Sequence, residues 1–357
     1  MSSHPATPPA GPPDTSPAGP PDTSPAGPPD TSPAGPPDTS PIGHPDSAPI
    51  DFPPAGVRPS GIAKTATAAG APPDPGRLPM TLPLLAEKKR LGEPIVMVTA
   101  YDYPSARAAE AAGVDLVLVG DSAATTILGY SSTTPVDLDD MLVLARAVRR
   151  GCKTPLMIGD LPFGSYEISD EQAVASAVRM VKEAGCDAVK LEGGGPASAS
   201  RARAIVQAGI PVMGHVGLTP QSSTALGGWK AQGRTARAAA RIGAEALALQ
   251  GSGCFSIVFE AIPSAVTKEL MPHIEVPVIG IGAGAETDGQ VLVFHDLLGI
   301  RDGLGPRFVK RYANLQQEMN AGVAAYAEDV RSGRYPGPEH GYSIDAEELA
   351  ELHELLA

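Results

Sequence analysis

Eight short apolar runs, separated by stretches rich in Ala, Arg and Glu, constrain this chain more than any other feature. They read as strands over 95–101 (IVMVTAY), 116–120 (LVLVG), 155–159 (PLMIG), 188–192 (AVKLE), 211–215 (PVMGH), 255–260 (FSIVFE), 277–282 (PVIGIG) and 290–296 (QVLVFHD). Runs so continuously apolar suit parallel strands buried on both faces, and their alternation with helical stretches is the grammar of βα units. Two of the intervening helices carry legible ends. Asp137 to Arg150 stops at Gly151, and Ser169-Asp170-Glu171 opens a helix that ends at Gly185. Eight such units in one domain predict a closed (β/α)8 barrel rather than an open sheet. The longer interval between the fifth and sixth strands, containing LGGWKAQGR, reads as a loop elaboration.

The barrel does not need the whole chain. Of 39 prolines in 357 residues, 24 precede residue 80, and the only aromatic residue in that stretch is Phe52. A segment so poor in large apolar side chains cannot offset its chain entropy by burial, so residues 1–79 are expected to be a disordered Pro/Gly-rich tail. PAGPPDTS occurs four times there, at 9–16, 17–24, 25–32 and 33–40, and then decays to PIGHPDSA. Eight residues with almost nothing to bury cannot stack into a solenoid; a polyproline-like spacer is one reading and a PxxP ligand for an aromatic groove the other. The catalytic domain is expected over 80–341, followed by a short acidic helical extension over 342–357 that ends in DAEELAELHELLA.

The net charge of −13 comes without any Lys/Arg run, which argues against nucleic acid or an anionic membrane as partner and for a small molecule. No apolar stretch reaches about 18 residues, and the N-terminus lacks the basic start and apolar core of a secretory signal. A soluble, cytoplasmic protein is expected. Cys152, Cys186 and Cys254 form no CxxC pair, which suggests reduced thiols rather than a disulfide framework or a zinc site.

In a barrel the chemistry belongs at the C-terminal strand ends, where this sequence repeatedly places polar groups. Asp121 follows LVLVG, Asp160 follows PLMIG, Glu192 ends AVKLE, His215 ends PVMGH and Glu260 ends FSIVFE. Each could be a cap or turn residue. Four carboxylates on one rim are harder to explain that way, because like charges raise one another's pKa and call for a cation. An oxygen-rich set without cysteine suits Mg²⁺, with Asp121, Asp160 and Glu192 as the candidate ligands. Lys190 and Glu192 are two apart on a strand and face the same way: either a structural ion pair, or a cation placed against an anionic substrate oxygen. Ser122 offers a hydroxyl and an N–H to a substrate carboxylate, or simply caps a helix. His215 is either a buried core histidine or a substrate contact. Glu260, on a different strand end from the ligands, is the candidate base, or else an ion-paired glutamate. A carboxylate-held metal with open positions could chelate a 2-oxo acid and stabilise its enolate while a separate carboxylate moves a proton.

With these residues in view, 80–340 resembles the ketopantoate hydroxymethyltransferase family. The resemblance rests on TAYD (99–102), VGDS (119–122), STTPV (132–136), DLPF (160–163), VKLEGG (189–194), GHVGLTPQ (214–221), GGWKAQGR (227–234), PVIGIGAG (277–284) and YPGPEH (335–340), whose order and spacing together are far more specific than any one of them. It implies a (β/α)8 barrel of the phosphoenolpyruvate/pyruvate-binding type. It also implies Mg²⁺ dependence and transfer of a hydroxymethyl group from 5,10-methylenetetrahydrofolate to 3-methyl-2-oxobutanoate, giving 2-dehydropantoate for pantothenate and coenzyme A synthesis. Carried over by motif, Asp121 and Asp160 bind metal and the 2-oxo acid, Glu192 completes the metal site, Lys190 and Ser122 contact substrate, and Glu260 is the proton acceptor. A homo-oligomer, commonly a decamer, is implied as well. The chain departs from the family pattern at Ala123-Ala124, Ser131, Trp229 and Thr235-Ala236-Arg237. Two rivals are a lyase on a similar metal-bound-enolate barrel and a binding protein built on a dead barrel; the GHVGLTPQ and GGWKAQGR blocks speak against the first, the intact acid and lysine positions against the second.

Overall fold

The computed structural model describes residues 76–357 apart from 302 and 304, so the PAGPPDTS repeats and the rest of the expected tail up to residue 75 lie outside the described residues. The strands are β1 (Ile95–Thr99), β2 (Leu116–Val119), β3 (Leu156–Asp160), β4 (Ala188–Lys190), β5 (Val212–Gly217), β6 (Ser256–Glu260), β7 (Val278–Ile281) and β8 (Gly289–Leu292). They close into one barrel in sequence order, every pairing parallel, with β8 joined back to β1 through Ile95–Val98 against Gly289–Leu292. The expected (β/α)8 barrel is therefore the fold.

The helices are α1 (Leu82–Leu91), α2 (Tyr103–Ala112), α3 (Ala123–Thr126), α4 (Leu138–Gly151), α5 (Asp170–Ala184), α6 (Pro196–Gln207), α7 (Ala236–Gly251), α8 (Ser264–Leu270), α9 (Phe294–Leu298), α10 (Leu315–Arg331) and α11 (Ala346–Leu356). Their ends follow local chemistry. Asp102 and Ser105 form a reciprocal capping box on α2, as Asp137 and Asp140 do on α4, and Ser169 caps α5, which stops at Gly185 in the left-handed region (φ 73°).

Alternation along the strands divides the core in two. Leu116, Leu118, Leu156, Ile158, Ala188, Met213 and Val258 fill the barrel interior, whose lower end is closed by Leu85 of α1. Val117, Val119, Met157, Val189, Val212, Ile257 and Phe259 point outward to the helices. Packing already begins at Arg77, whose guanidinium donates to the carbonyl of Val114 at 2.9 Å.

The last strand departs from expectation. The run 290–296 is not one strand: β8 ends at Leu292, and Phe294-His295-Asp296 belong to α9. The Thr99 hydroxyl accepts the Phe294 amide at 2.8 Å, and Phe294 and Leu297, three apart, pack on the outer core as a helix requires. β1 is likewise shorter than 95–101, because the Tyr101 amide turns to Ser105 Oγ. Nothing helical follows β7 directly, and α10 and α11 bury none of their side chains. The outer face of β8 and β1 is thus left as an open apolar groove of about 440 Å³, lined by Val98, Val114, Val291, Phe294, Leu297 and Tyr312 among others. Along α10, Met319, Val323, Tyr326 and Val330 form an exposed stripe at helical spacing. No helix among the described residues is long and apolar enough to cross a membrane. Cys152, Cys186 and Cys254 are buried free thiols.

Candidate active site at the barrel mouth

The inward parity of the strands continues upward into polar side chains. In β3 the interior positions run Leu156, Ile158, Asp160; in β4, Ala188, Lys190; in β5, Met213, His215; and in β6, Val258, Glu260. Asp160, Lys190 and His215 are buried, Glu192 follows β4 with the same parity and is also buried, and Glu260 is partly open. Asp121 breaks parity. It lies two residues past the end of β2, and the turn swings its amide onto Asp160 Oδ2 at 3.2 Å. The five acids and bases expected at the strand ends are thus brought to one mouth.

Lys190 is the charge centre of the group. Its Nζ donates to Asp160 Oδ1 at 2.7 Å and to Oδ2 at 2.9 Å, and stands 3.8 Å from Glu192 Oε1. Burial works against the ammonium, but Asp160, Glu192 and Asp121 outweigh it, so the Lys190 pKa is raised and the side chain is a fixed cation. Burial, followed by Asp160 and Glu192, holds the Asp121 carboxyl well above the usual aspartate range. Of the two readings of Lys190, the ion pair is present, made chiefly with Asp160.

His215 lies between two carboxylates, with Nδ1 3.4 Å from Glu192 Oε1 and Nε2 3.2 Å from Glu260 Oε2. These are close approaches without hydrogen-bond alignment, since neither ring nitrogen nor Glu192 Oε1 has a hydrogen-bond partner. Burial, then Lys190, pulls the imidazole pKa down, yet the two glutamates prevail and raise it to about 9. Directly after Glu260, Ala261 has a φ of 49°, the only positive value among the described non-glycine residues. That left-handed turn lets its amide donate to Ile281 O and its carbonyl accept from Gln232 N, both at 2.9 Å.

Ser122 occupies the N-cap position of α3 but makes no side-chain cap bond; its Oγ lies 2.9 Å from the Tyr101 hydroxyl instead. Burial foremost raises the Tyr101 pKa to about 12, so this partner is a neutral phenol. Three further residues of the site went unread in the sequence: Tyr101, Tyr166 and Gln221. Gln221 Nε2 donates to Asp121 Oδ2 at 2.9 Å, and its backbone amide donates to Glu192 Oε2 at 3.0 Å. The signal was present in GHVGLTPQ, whose final glutamine follows a strand end and a proline that opens a single 3₁₀ turn over Pro220–Ser222.

The donor chemistry fits a hard divalent cation. Three buried carboxylates face one fixed ammonium, and Glu192 Oε1 is buried with no hydrogen-bond partner. Among the described residues no three His, Cys, Asp or Glu side chains form a ready-made metal cage.

Residues 79–338 match the family model described as ketopantoate hydroxymethyltransferase. The chain is 48% identical over 296 residues to 3-methyl-2-oxobutanoate hydroxymethyltransferase 1, mitochondrial, of Arabidopsis thaliana, covering 81% of this chain and 85% of that one. It is 51% identical to 3-methyl-2-oxobutanoate hydroxymethyltransferase of Moorella thermoacetica, covering 74% of this chain and 97% of that one. Among solved structures it is similar to 2,3-dimethylmalate lyase, described as a PEP mutase/isocitrate lyase superfamily member. That similarity has 17% identity and a TM-score of 0.48, and covers 78% of this chain and 96% of that one. With the match spanning the whole barrel and every motif that carries the mouth, the chain belongs to the ketopantoate hydroxymethyltransferase family.

Proposed function

We propose that this protein transfers a hydroxymethyl group from 5,10-methylenetetrahydrofolate to 3-methyl-2-oxobutanoate, forming 2-dehydropantoate for pantothenate and coenzyme A synthesis. The observation that carries the reading is the separation of roles at one mouth: a carboxylate cluster around Lys190, and a distinct carboxylate, Glu260, beyond His215. Asp121, Asp160 and Glu192 would hold Mg²⁺. When bound, the ion supplies a Lewis acid that draws electron density toward the 2-oxo oxygen.

The chain's own residues account for the rest. Glu260 takes the proton from C3 of the 2-oxo acid, and the electron pair left there forms the bond from C3 to the one-carbon unit. The two carbon–nitrogen bonds that held that carbon to the folate break, water supplies its hydroxyl, and the folate nitrogens take up the water proton and the proton from C3 to leave as tetrahydrofolate. The Lys190 ammonium balances negative charge that develops on the substrate oxygen. Ser122, its hydroxyl oriented by Tyr101, binds the substrate carboxylate. His215 holds the ring edge against which Glu260 rests.

The protein is read as a homo-oligomer, a decamer by family resemblance, and the bare stripe on α10 and the open groove beside β8 support association. Three buried free thiols suit a reducing compartment, here the cytoplasm. The test is C3 deuterium exchange on 3-methyl-2-oxobutanoate with Mg²⁺, beside an assay for 2-dehydropantoate with the folate added. Glu260→Gln is expected to slow exchange by about 10²–10⁴-fold; undiminished exchange removes the base assignment, and absence of product in the wild type removes the activity.

A further inference from the structure

We infer that Gln221 is a positioning residue that sets the spacing of Asp121 and Glu192, and that Tyr166 fixes the direction in which its amide works. The inference rests on the reading of these two carboxylates as cation ligands.

The direction of each hydrogen bond follows from its neighbour. The Glu192 amide donates to the Tyr166 hydroxyl oxygen at 3.2 Å, which leaves the phenolic proton to be given elsewhere. It goes to Gln221 Oε1 at 2.5 Å. The amide nitrogen must then face the other way, where it finds two pure acceptors, Asp121 Oδ2 at 2.9 Å and the Leu161 carbonyl at 3.0 Å. A flipped amide would set its NH₂ against a donor and its oxygen against a carboxylate and a carbonyl. One orientation satisfies every atom.

The same residue reaches the second carboxylate through its main chain, the Gln221 amide donating to Glu192 Oε2. Just upstream, the Leu218 amide donates to the Glu260 carbonyl at 2.9 Å. The segment from Leu218 to Gln221 therefore ties the backbone of the proposed base to both acids. Gln221 and Tyr166 are buried, so water competes little for these bonds. A neutral amide is the right group here, because it restrains Asp121 without cancelling the negative charge that attracts a cation. Gln221 leaves Glu192 Oε1 without a hydrogen-bond partner and takes only Oε2.

The experiment measures Mg²⁺ affinity by titration calorimetry, without substrate, in wild type, Gln221→Met, Tyr166→Phe and the double variant, with thermal melting alongside. Gln221→Met keeps the length and removes the amide; Tyr166→Phe removes only the hydroxyl. Both are expected to fold and to bind Mg²⁺ more weakly, Gln221→Met by about 10- to 100-fold as for other residues that orient ligands. Because Tyr166 acts through the amide, Tyr166→Phe is expected to add little in the Gln221→Met background. C3 exchange in Gln221→Met should recover at saturating Mg²⁺, which a merely structural defect would not allow. Wild-type affinity in Gln221→Met, or costs of the two changes that simply add, overturns the inference. Absence of Mg²⁺ binding in the wild type would overturn the ligand reading on which it rests.

Discussion

His215 Nε2 stands 3.2 Å from Glu260 Oε2, on the neighbouring strand, and this contact joins the proposed base to the acid cluster. The register makes it so: β5 and β6 pair His215 with Val258, two residues before Glu260, and inward parity carries both side chains into the mouth. The opposite edge of the ring faces Glu192 Oε1 at 3.4 Å.

Replacing His215 by Asn should therefore misorient Glu260 rather than remove it. C3 exchange is expected to fall on the order of 10-fold, less than the general-base loss expected for Glu260→Gln. Proton NMR of 3-methyl-2-oxobutanoate in D₂O measures both. A His215→Asn loss equal to that of Glu260→Gln would overturn the lesser role given to His215 and show that the carboxylate does not act as base without the imidazole beside it.

Lys190 carries a different expectation. Removing it by Lys190→Met strands Asp160, Asp121 and Glu192 in a buried mouth without a compensating ammonium. Breaking a buried pair in this way costs about 3–5 kcal/mol. Urea unfolding in the presence of EDTA should show that loss, and Mg²⁺ should recover part of it, since a bound cation supplies the missing charge. Equal destabilisation with and without Mg²⁺ would separate the ammonium from the cation site.

How much of this was legible beforehand depends on what each position answers to. The strands were readable because a barrel strand buried on both faces must be apolar throughout, and Asp160, Glu192, His215 and Glu260 were readable because the mouth begins where that rule stops. β8 was overextended because Phe294 and Leu297 are apolar for the sake of a helix face, and a short apolar run carries no period that tells the two apart. Tyr166 and Gln221 were missed for another reason. Each lies in a connecting loop, and their meaning comes from partners 26 and 29 residues away around Glu192 and 100 residues away at Asp121. The strand end and proline before Gln221 mark a turn at the mouth, but nothing local says which partners its amide meets.

Ala261 holds its left-handed φ of 49° against the penalty a Cβ carries there. Ala261→Gly removes that penalty, so the folded protein is expected to gain up to about 1 kcal/mol, offset in part by the freer unfolded chain. The same change loosens the turn that follows Glu260, and C3 exchange is expected to slow even as the melting temperature holds or rises. Parallel melting and exchange measurements check this; faster exchange in a more stable variant would show that the turn restrains Glu260 unproductively.

The last expectation concerns pH and a carboxylate far from the mouth. Glu110, on α2, accepts from the amides of Lys153 at 2.7 Å and Thr154 at 3.1 Å and from the Thr154 hydroxyl at 2.9 Å, fastening the segment that enters β3. Burial alone would raise its pKa, but these bonds outweigh burial and leave it lowered. A depressed folded value means that the ionised group stabilises the fold fully above the unfolded glutamate pKa of about 4.3, and that this contribution disappears as pH falls through the lower folded value. Glu110→Gln puts an amide donor against donors and should cost about 1–3 kcal/mol at pH 7. The gap between wild type and variant in urea unfolding should narrow as pH falls below about 4. A gap constant down to the acid transition would mean that shape rather than charge at Glu110 secures β3, the strand that carries Asp160 at its far end.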